Sequence, residues 1–343
     1  MQQNFDQESQ RRLRVAAFTA GADVPAARFR VRQYAEPLSR LGIDLAEYWP
    51  GLGAYPPRRR LLRPAWFAGT LAQRLPQLVA ARHADIVLLQ RELVSTLPTL
   101  EGLTRRPRIV DIDDSIHLHR GGLAARRLAA LADLVIVGNE FLAETWRGWT
   151  PAVEILPTAV DTDRCPHTPP PDRPVIGWIG TAANLRYLQA IAPALATVLR
   201  RFPAAEIAVC CDRPPALGGL PVRFVPWSAG AEIPFLASLS IGLMPLDDGP
   251  WERGKCSMKM LQYMAAARPC VVSPVGMNRE VLARGALGLA VATEVEWIDA
   301  LCGLLADRDA AQRMGETGRA VAERHYSRAA LAPRLAALLR RVA

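Results

Sequence analysis

The stretch Gly249-Pro250-Trp251-Glu252-Arg253-Gly254-Lys255-Cys256-Ser257-Met258-Lys259-Met260-Leu261-Gln262-Tyr263-Met264 decides how this chain is read. Of its 42 lysines and arginines, only Lys255 and Lys259 are lysine. Arginine presents a planar fork, lysine a compact point charge on a flexible stem, and the two are not interchangeable. A chain that takes arginine everywhere else therefore keeps lysine at two neighbouring positions. Asp247 to Pro250 and Gly254 predict loop. Ser257 stands where a helix N-cap would, with the helix over 258–267 and Pro269 beyond it. Lys259 then falls in the first turn and Lys255 just ahead of it. Cations at a helix start oppose the dipole, and a bound phosphate reverses that sign. Two readings follow, an anion site or a pair of solvated lysines on a helix end, and the first is the expectation carried forward.

Working outward, short apolar runs alternate with helical periodicity. After the lysine stretch comes a strand over 270–273, then helices near 295–306, 309–324 and 328–339. Before it lie strands over 175–179, 205–210, 222–225 and 241–244, with helices over 185–202 and 233–238. The first half has the same rhythm. Its strands fall at 13–19, 43–48, 85–90, 108–112, 134–137 and 153–156. Its helices fall at 28–41, 66–82, 93–103, 123–131 and 140–146. Strands alternating with helices imply a parallel sheet covered on both faces. The expected fold is α/β: two Rossmann-like open parallel-sheet domains facing a central cleft. Residues 165–174 hold five prolines and suit a linker. The expected division is a disordered start over 1–12, an N-terminal domain over 13–164, a linker over 165–173, a C-terminal domain over 174–327 and a final helix over 328–343 packing towards the N-terminal domain. Ligands on such sheets bind beyond the carboxyl ends of the strands.

Composition narrows the function classes. Half the residues (50%) are hydrophobic and 22% are charged, ordinary for a globular protein. The most apolar window, 227–246, contains Glu232 and two prolines, so no membrane span is expected. The polar start has no signal-peptide core, and a cytoplasmic protein is expected. Six cysteines without a C-x-x-C pair suggest neither a disulfide framework nor a zinc site. A net charge of +9 invites an anionic partner. Arg58, Arg59, Arg60 and Arg63 with Trp66 and Phe67 form a basic, aromatic patch. It reads either as a contact with an anionic membrane surface or lipid-linked acceptor, or as a solvated loop. No nucleic-acid motif accompanies the charge, so no nucleic-acid partner is expected.

Several anchors resemble the GT-B glycosyltransferases, specifically the retaining nucleotide-sugar enzymes of the glycosyltransferase family 4 / group 1 class. Ile155-Leu156-Pro157-Thr158-Ala159-Val160-Asp161 is similar to that family's hinge entry, with Thr158-Ala159 in place of Asn-Gly. Ile176 to Gly180 and Arg186 resemble the first strand and loop of its C-terminal domain. Gln262-Tyr263-Met264-Ala265 through Pro269-Cys270-Val271-Val272, Gly276 through Glu280, and Met314-Gly315 through His325-Tyr326-Ser327 match its later blocks.

The resemblance implies a nucleotide-sugar donor, no cofactor and no metal. The acceptor would be a glycan, a lipid-linked molecule or a small molecule. It places Gly180, Thr181, Arg186, Val225, Trp227, Glu252, Lys255, Lys259, Gln262, Asn278 and Glu280 at the donor, with Lys259, Lys255 and Arg186 on the diphosphate as catalytic cations. Where the family has Glu-x7-Glu, this chain has Gly254 and Gln262, and Glu252 stands in two residues early. Thr181 occupies the usual arginine position, so the lysines are expected to supply the missing charge.

On the acceptor side the candidates are Gly21, Asp113, Asp114 and His117. Asp111-Ile112-Asp113-Asp114 admits three readings: carboxylates facing the cleft, caps of the next element, or a D-x-D divalent-metal site that would make the transferase metal-dependent. Gly21 reads as a close approach to donor phosphate or as a plain turn. His117 is the candidate for orienting an acceptor, and His119 reads as exposed. A catalytically inactive relic that binds nucleotide or glycan is the remaining alternative.

Overall fold

The computed structural model describes residues 11–343. The expectation for 1–12 therefore falls almost wholly outside the described residues. The chain divides into two compact units, one of Met1–Pro157 with Leu331–Ala343, the other of Thr158–Ala330. The proline-rich 165–173 segment lies inside the second unit. It is tied there by Arg308, which donates to the carbonyls of Pro171 and Asp172, and by Arg268, which donates to Thr168.

The first unit holds β1 (Leu13–Phe18), β2 (Ile43–Tyr48), β3 (Ile86–Gln90), β4 (Arg108–Ile112), β5 (Leu134–Val137) and β6 (Val153–Ile155). They form one parallel sheet in the order β2-β1-β3-β4-β5-β6. β3, β4 and β5 are buried along their whole length, which is why the sequence shows them as unbroken apolar runs. Around them lie α1 (Ala35–Arg40), α2 (Arg63–Ala80), α3 (Leu123–Leu131) and α4 (Glu140–Arg147). The expected helix over 28–41 is broken into a π-helical turn at Ala27–Val31, a 3-10 turn at Arg32–Tyr34 and α1. The turn carries Arg30, buried against Asp111 of β4. The expected helix over 93–103 is absent. Pro98 cannot donate and disfavours a helical Leu97, and the buried Glu101 carboxylate instead takes the backbone N–H groups of Leu93 and Thr99.

In the second unit the strands are β7 (Val175–Ile179), β8 (Glu206–Cys211), β9 (Val222–Pro226), β10 (Ile241–Met244), β11 (Cys270–Val272) and β12 (Gly288–Ala290). Their order is β12-β11-β10-β7-β8-β9, again all parallel. The helices are α5 (Leu185–Ala190), α6 (Ala192–Arg201), α7 (Ala229–Ala237), α8 (Pro250–Arg253), α9 (Met258–Ala265), α10 (Met277–Leu282), α11 (Glu294–Ala306) and α12 (Arg308–His325). Pro193 splits the expected 185–202 helix into α5 and α6. The last helix, α13 (Arg328–Val342), delivers residues 331–343 to the first unit, where Arg334 donates to the carbonyl of Ile155 and Arg341 pairs with Glu154.

In each sheet the chain adds strands on one side and then jumps to the other. The reversal falls between β1 and β3 in the first unit and between β7 and β10 in the second. Open α/β sheets bind ligands at that switch, beyond the carboxyl ends.

Candidate functional site

The lysine stretch sits at the switch of the second sheet. Tyr263 of α9 is fully buried, and its hydroxyl donates to the carbonyl of Leu243 (3.0 Å) on β10 and accepts from the N–H of Ile179 (3.2 Å) on β7. One phenol thus stitches the two strands that part there and fixes the start of α9 above the gap. Gly242 makes this possible, since an added Cβ would lie 2.2 Å from the Tyr263 ring.

Lys259 leaves the first turn of α9 and runs over Gly180. An added Cβ there would meet Lys259 Cε at 2.8 Å and the Trp178 indole at 2.7 Å. Its Nζ lies 5.4 Å from the centre of the Trp178 ring, and Lys255 Nζ lies 5.6 Å from that of Trp251. Both ammonium groups are thus carried on indole faces. Ser257 precedes α9 with a left-handed φ of +50°, but its hydroxyl does not cap the helix. It donates to Asn278 Oδ1 (2.7 Å), while Asn278 Nδ2 donates to the carbonyl of Ser273 (2.9 Å). Among the described residues α9 therefore has no side-chain N-cap hydrogen bond, and Asn278 braces the loop with its own amide.

Arg186 enters from α5. Its guanidinium donates to Glu252 Oε1 (2.8 Å) and to the Tyr187 oxygen (2.7 Å), yet its side chain remains 61% exposed. Tyr187 also donates a short hydrogen bond to Glu252 Oε1. Burial pushes the Tyr187 phenol up to about 12, with the Glu252 bond acting in the same direction. Tyr187 therefore stays a donor at neutral pH. Glu252, expected at the donor, is buried and has one oxygen committed to steering Arg186.

Gln262 lies one helical turn beyond Lys259, on the same face of α9. It is 7% exposed, and among the described residues its amide has no hydrogen-bond partner. Thr181 follows β7 and accepts from Asn184 Nδ2 (2.9 Å). Val225 and Trp227 lie on and just after β9, two strands across from β7, a step of about 10 Å. The Trp227 indole donates to Glu232 at 3.4 Å. Glu280 is exposed on α10, on the other flank beyond β11. A separate cavity at the amino ends of the same strands, lined by Pro174, Ser240, Arg268 and Arg308, is at the wrong end of the sheet for these groups.

In the first unit the acidic motif is engaged by arginine. Asp111 is held by Arg30 through contacts of 2.5 to 3.2 Å, with side chains 4% and 1% exposed. Asp113 and Asp114 both accept from Arg91, at 2.5 and 2.8 Å. His117 is half-buried between Phe141 and Trp149, and among the described residues its buried Nδ1 has no hydrogen-bond partner. Burial, with His119 adding to it, holds its pKa below the usual histidine value. Gly21 has only an ordinary contact at 3.4 Å from Val24, so neither space nor backbone conformation demands glycine.

A cavity opens at the switch of this sheet, lined by Ala20 after β1, Gln90 and Arg91 at the end of β3, and Glu92, Tyr55 and Trp66. Gln90, Arg91, Glu92 and Tyr187 were not anticipated from sequence. The only signal was position: polar residues directly after the apolar β3 run, and a tyrosine beside Arg186.

Residues 173–307 match the family model described as Glycosyl transferases group 1. Among solved structures, sucrose-phosphate synthase from Thermosynechococcus elongatus is similar with a TM-score of 0.73 at 15% identity, over 96% of this chain and 99% of that one. Anabaena HepE in complex with UDP and glucose gives 0.69 at 14%, over 96% and 100%. WaaG, a glycosyltransferase involved in lipopolysaccharide biosynthesis, gives 0.67 at 13%, over 95% and 99%. No curated protein sequence matches. At these identities the structural likeness establishes the fold, and that fold is GT-B. The group 1 match lies within the second unit and spans less than half of the chain.

Proposed function

We propose that the protein transfers a sugar from a nucleoside-diphosphate sugar, a UDP-sugar first among them, to an acceptor hydroxyl, with retention of configuration and without a metal ion. The observation that carries this is the placing of the chain's only two lysines, with Arg186, around an uncapped helix start at the switch of the second sheet. Negative charge grows on the departing diphosphate, and cations held there lower the barrier. Lys259 and the α9 N–H groups would face the phosphates. Gln262 would take the ribose hydroxyls that its unpaired amide can satisfy, Val225 to Trp227 the base, and Glu280 the sugar. Asp111 and Asp113 spend their charge on Arg30 and Arg91, which favours a diphosphate neutralised by lysine over one bridged by a metal. UDP is favoured because HepE was solved with it.

Thermal shift tests the donor assignment, since a ligand specific to the native state raises the melting temperature. UDP is expected to stabilise the protein. Gln262→Leu is expected to weaken UDP binding about tenfold, the equivalent of one hydrogen bond of roughly 1–1.5 kcal/mol. No shift with any nucleoside diphosphate would sink the donor reading, and unchanged affinity in Gln262→Leu would return that residue to ordinary packing.

The acceptor is proposed to be a glycan, lipid-linked or small molecule bound by the first unit, at the inner face of an anionic membrane in a cytoplasmic setting. Supporting this, Arg58, Arg59, Arg60 and Arg63 surround Leu61, 94% exposed, with Leu62 and Tyr55 also exposed. Among the described residues no helix is long and apolar enough to cross a membrane, so the contact would be peripheral. Co-sedimentation with phosphatidylglycerol vesicles, absent with phosphatidylcholine and reversed by salt, is the expected result. Equal recovery with both vesicle types would remove the electrostatic contact.

A further inference from the structure

We infer that the cavity at the β1/β3 switch of the first unit is a subsite for an acceptor bearing a primary ammonium, an amino sugar rather than a neutral one. The inference rests on the proposed acceptor role of this unit and adds the chemistry of what it holds.

Two of the cavity's lining side chains are nine-tenths buried or more and carry an oxygen with no hydrogen-bond partner among the described residues: Gln90 Oε1 and Glu92 Oε2. The other ends of both side chains are fixed. Gln90 Nε2 donates to Asp113 (3.3 Å), and Glu92 Oε1 accepts from the N–H of Thr96 (2.5 Å). Burying an acceptor without a donor is costly, and native proteins tolerate it chiefly where something else supplies the donor. Two such oxygens on neighbouring residues ask for a donor-rich ligand.

Charge narrows the class. Arg91, which also lines the cavity, stands at the end of β3 with a left-handed φ of +62° and gives its guanidinium to Asp113 and Asp114. It therefore does not offset Glu92, and among the described residues no cation lies within salt-bridge distance of that carboxylate. An ammonium has three donors and no acceptor, matching a carboxylate oxygen and an amide oxygen together. Tyr55 and Trp66 are also on the lining, and aromatic rings attract cations and pack against the apolar side of a sugar ring.

The test is titration of the full-length protein with glucosamine, glucose and N-acetylglucosamine, below the amine's pKa, followed by calorimetry or ligand-observed NMR. Glucosamine is expected to bind at least about tenfold more tightly than the two neutral sugars, the scale of one charge-assisted hydrogen bond. Glu92→Gln keeps the acceptor for Thr96 and is expected to abolish that preference while leaving UDP affinity and the melting temperature unchanged. Equal binding of the three sugars overturns the proposal, as does a preference that survives Glu92→Gln, or the lack of saturable glucosamine binding. Loss of UDP binding in the wild-type protein with the amine preference intact would count against the donor assignment and leave this cavity as inferred.

Discussion

Lys259→Met is expected to lower turnover about ten- to hundredfold, the equivalent of one charge-assisted contact of roughly 1.5–3 kcal/mol. The loss should fall more on kcat than on donor affinity. The diphosphate gains charge as the glycosidic bond breaks, so a cation at that point favours the transition state over the ground state. Lys259→Arg keeps the charge and is still expected to lose much of the rate. The lysine stem passes Gly180 and the Trp178 indole so closely that even a methyl on Gly180 would have to displace it. A guanidinium is broader, planar and must lie flat. Gly180→Ala should therefore resemble Lys259→Arg, charge intact and rate reduced, because the same ammonium is moved. The measurement is donor turnover in the three variants at saturating donor. Full activity in Lys259→Met would remove the anion site. Full activity in Lys259→Arg would show that the chain's choice of lysine there carries no geometric meaning.

The candidate site was legible where a residue type was unusual in its own chain. Two lysines among so many arginines mark the α9 start without any knowledge of the fold. The partners were not legible, because they come from far away in sequence. Glu252 reaches Arg186 across 66 positions, and Lys259 rests on an indole of β7. The sheets were legible because central parallel strands are buried on both faces. The expected bounds for 43–48, 108–112, 134–137, 175–179 and 241–244 coincide with the strands found. β12 was missed. It has three residues, all at least partly exposed at the sheet edge, so no apolar run announces it. The segment after β3 misled for a different reason. Its leucines are spaced as on a helix, but Pro98 and the buried Glu101 turn it into an irregular loop, and that loop begins beside Glu92, whose Oε1 accepts from Thr96.

The acidic motif offers the second large effect, and there the two readings part sharply. If Asp111 belonged to a D-x-D metal site, Asp111→Asn would leave the fold intact and make turnover insensitive to added Mn or Mg. The structure gives Asp111 another task. It faces Arg30 in a doubly hydrogen-bonded pair almost without solvent, and Arg30 also donates to the carbonyl of Leu156 (2.7 Å), next to the boundary of the first unit. Burial pushes the Asp111 carboxyl up against the pull of Arg30, the mark of a pair whose desolvation cost is met only by its own geometry. Removing one partner leaves a buried, uncompensated guanidinium, a loss of about 3–5 kcal/mol. For a unit of this size that lowers the melting transition by on the order of 10 °C. Scanning calorimetry of Asp111→Asn is expected to show this drop, with UDP affinity retained in the protein that remains folded. Arg30→Met combined with Asp111→Leu is expected to recover much of the loss, since it removes both charges and refills the space with apolar side chains. Chelation by EDTA should leave wild-type turnover unchanged. A wild-type melting temperature in Asp111→Asn, together with turnover that EDTA abolishes and Mn restores, would transfer Asp111 to a metal site and withdraw the lysine account of diphosphate departure.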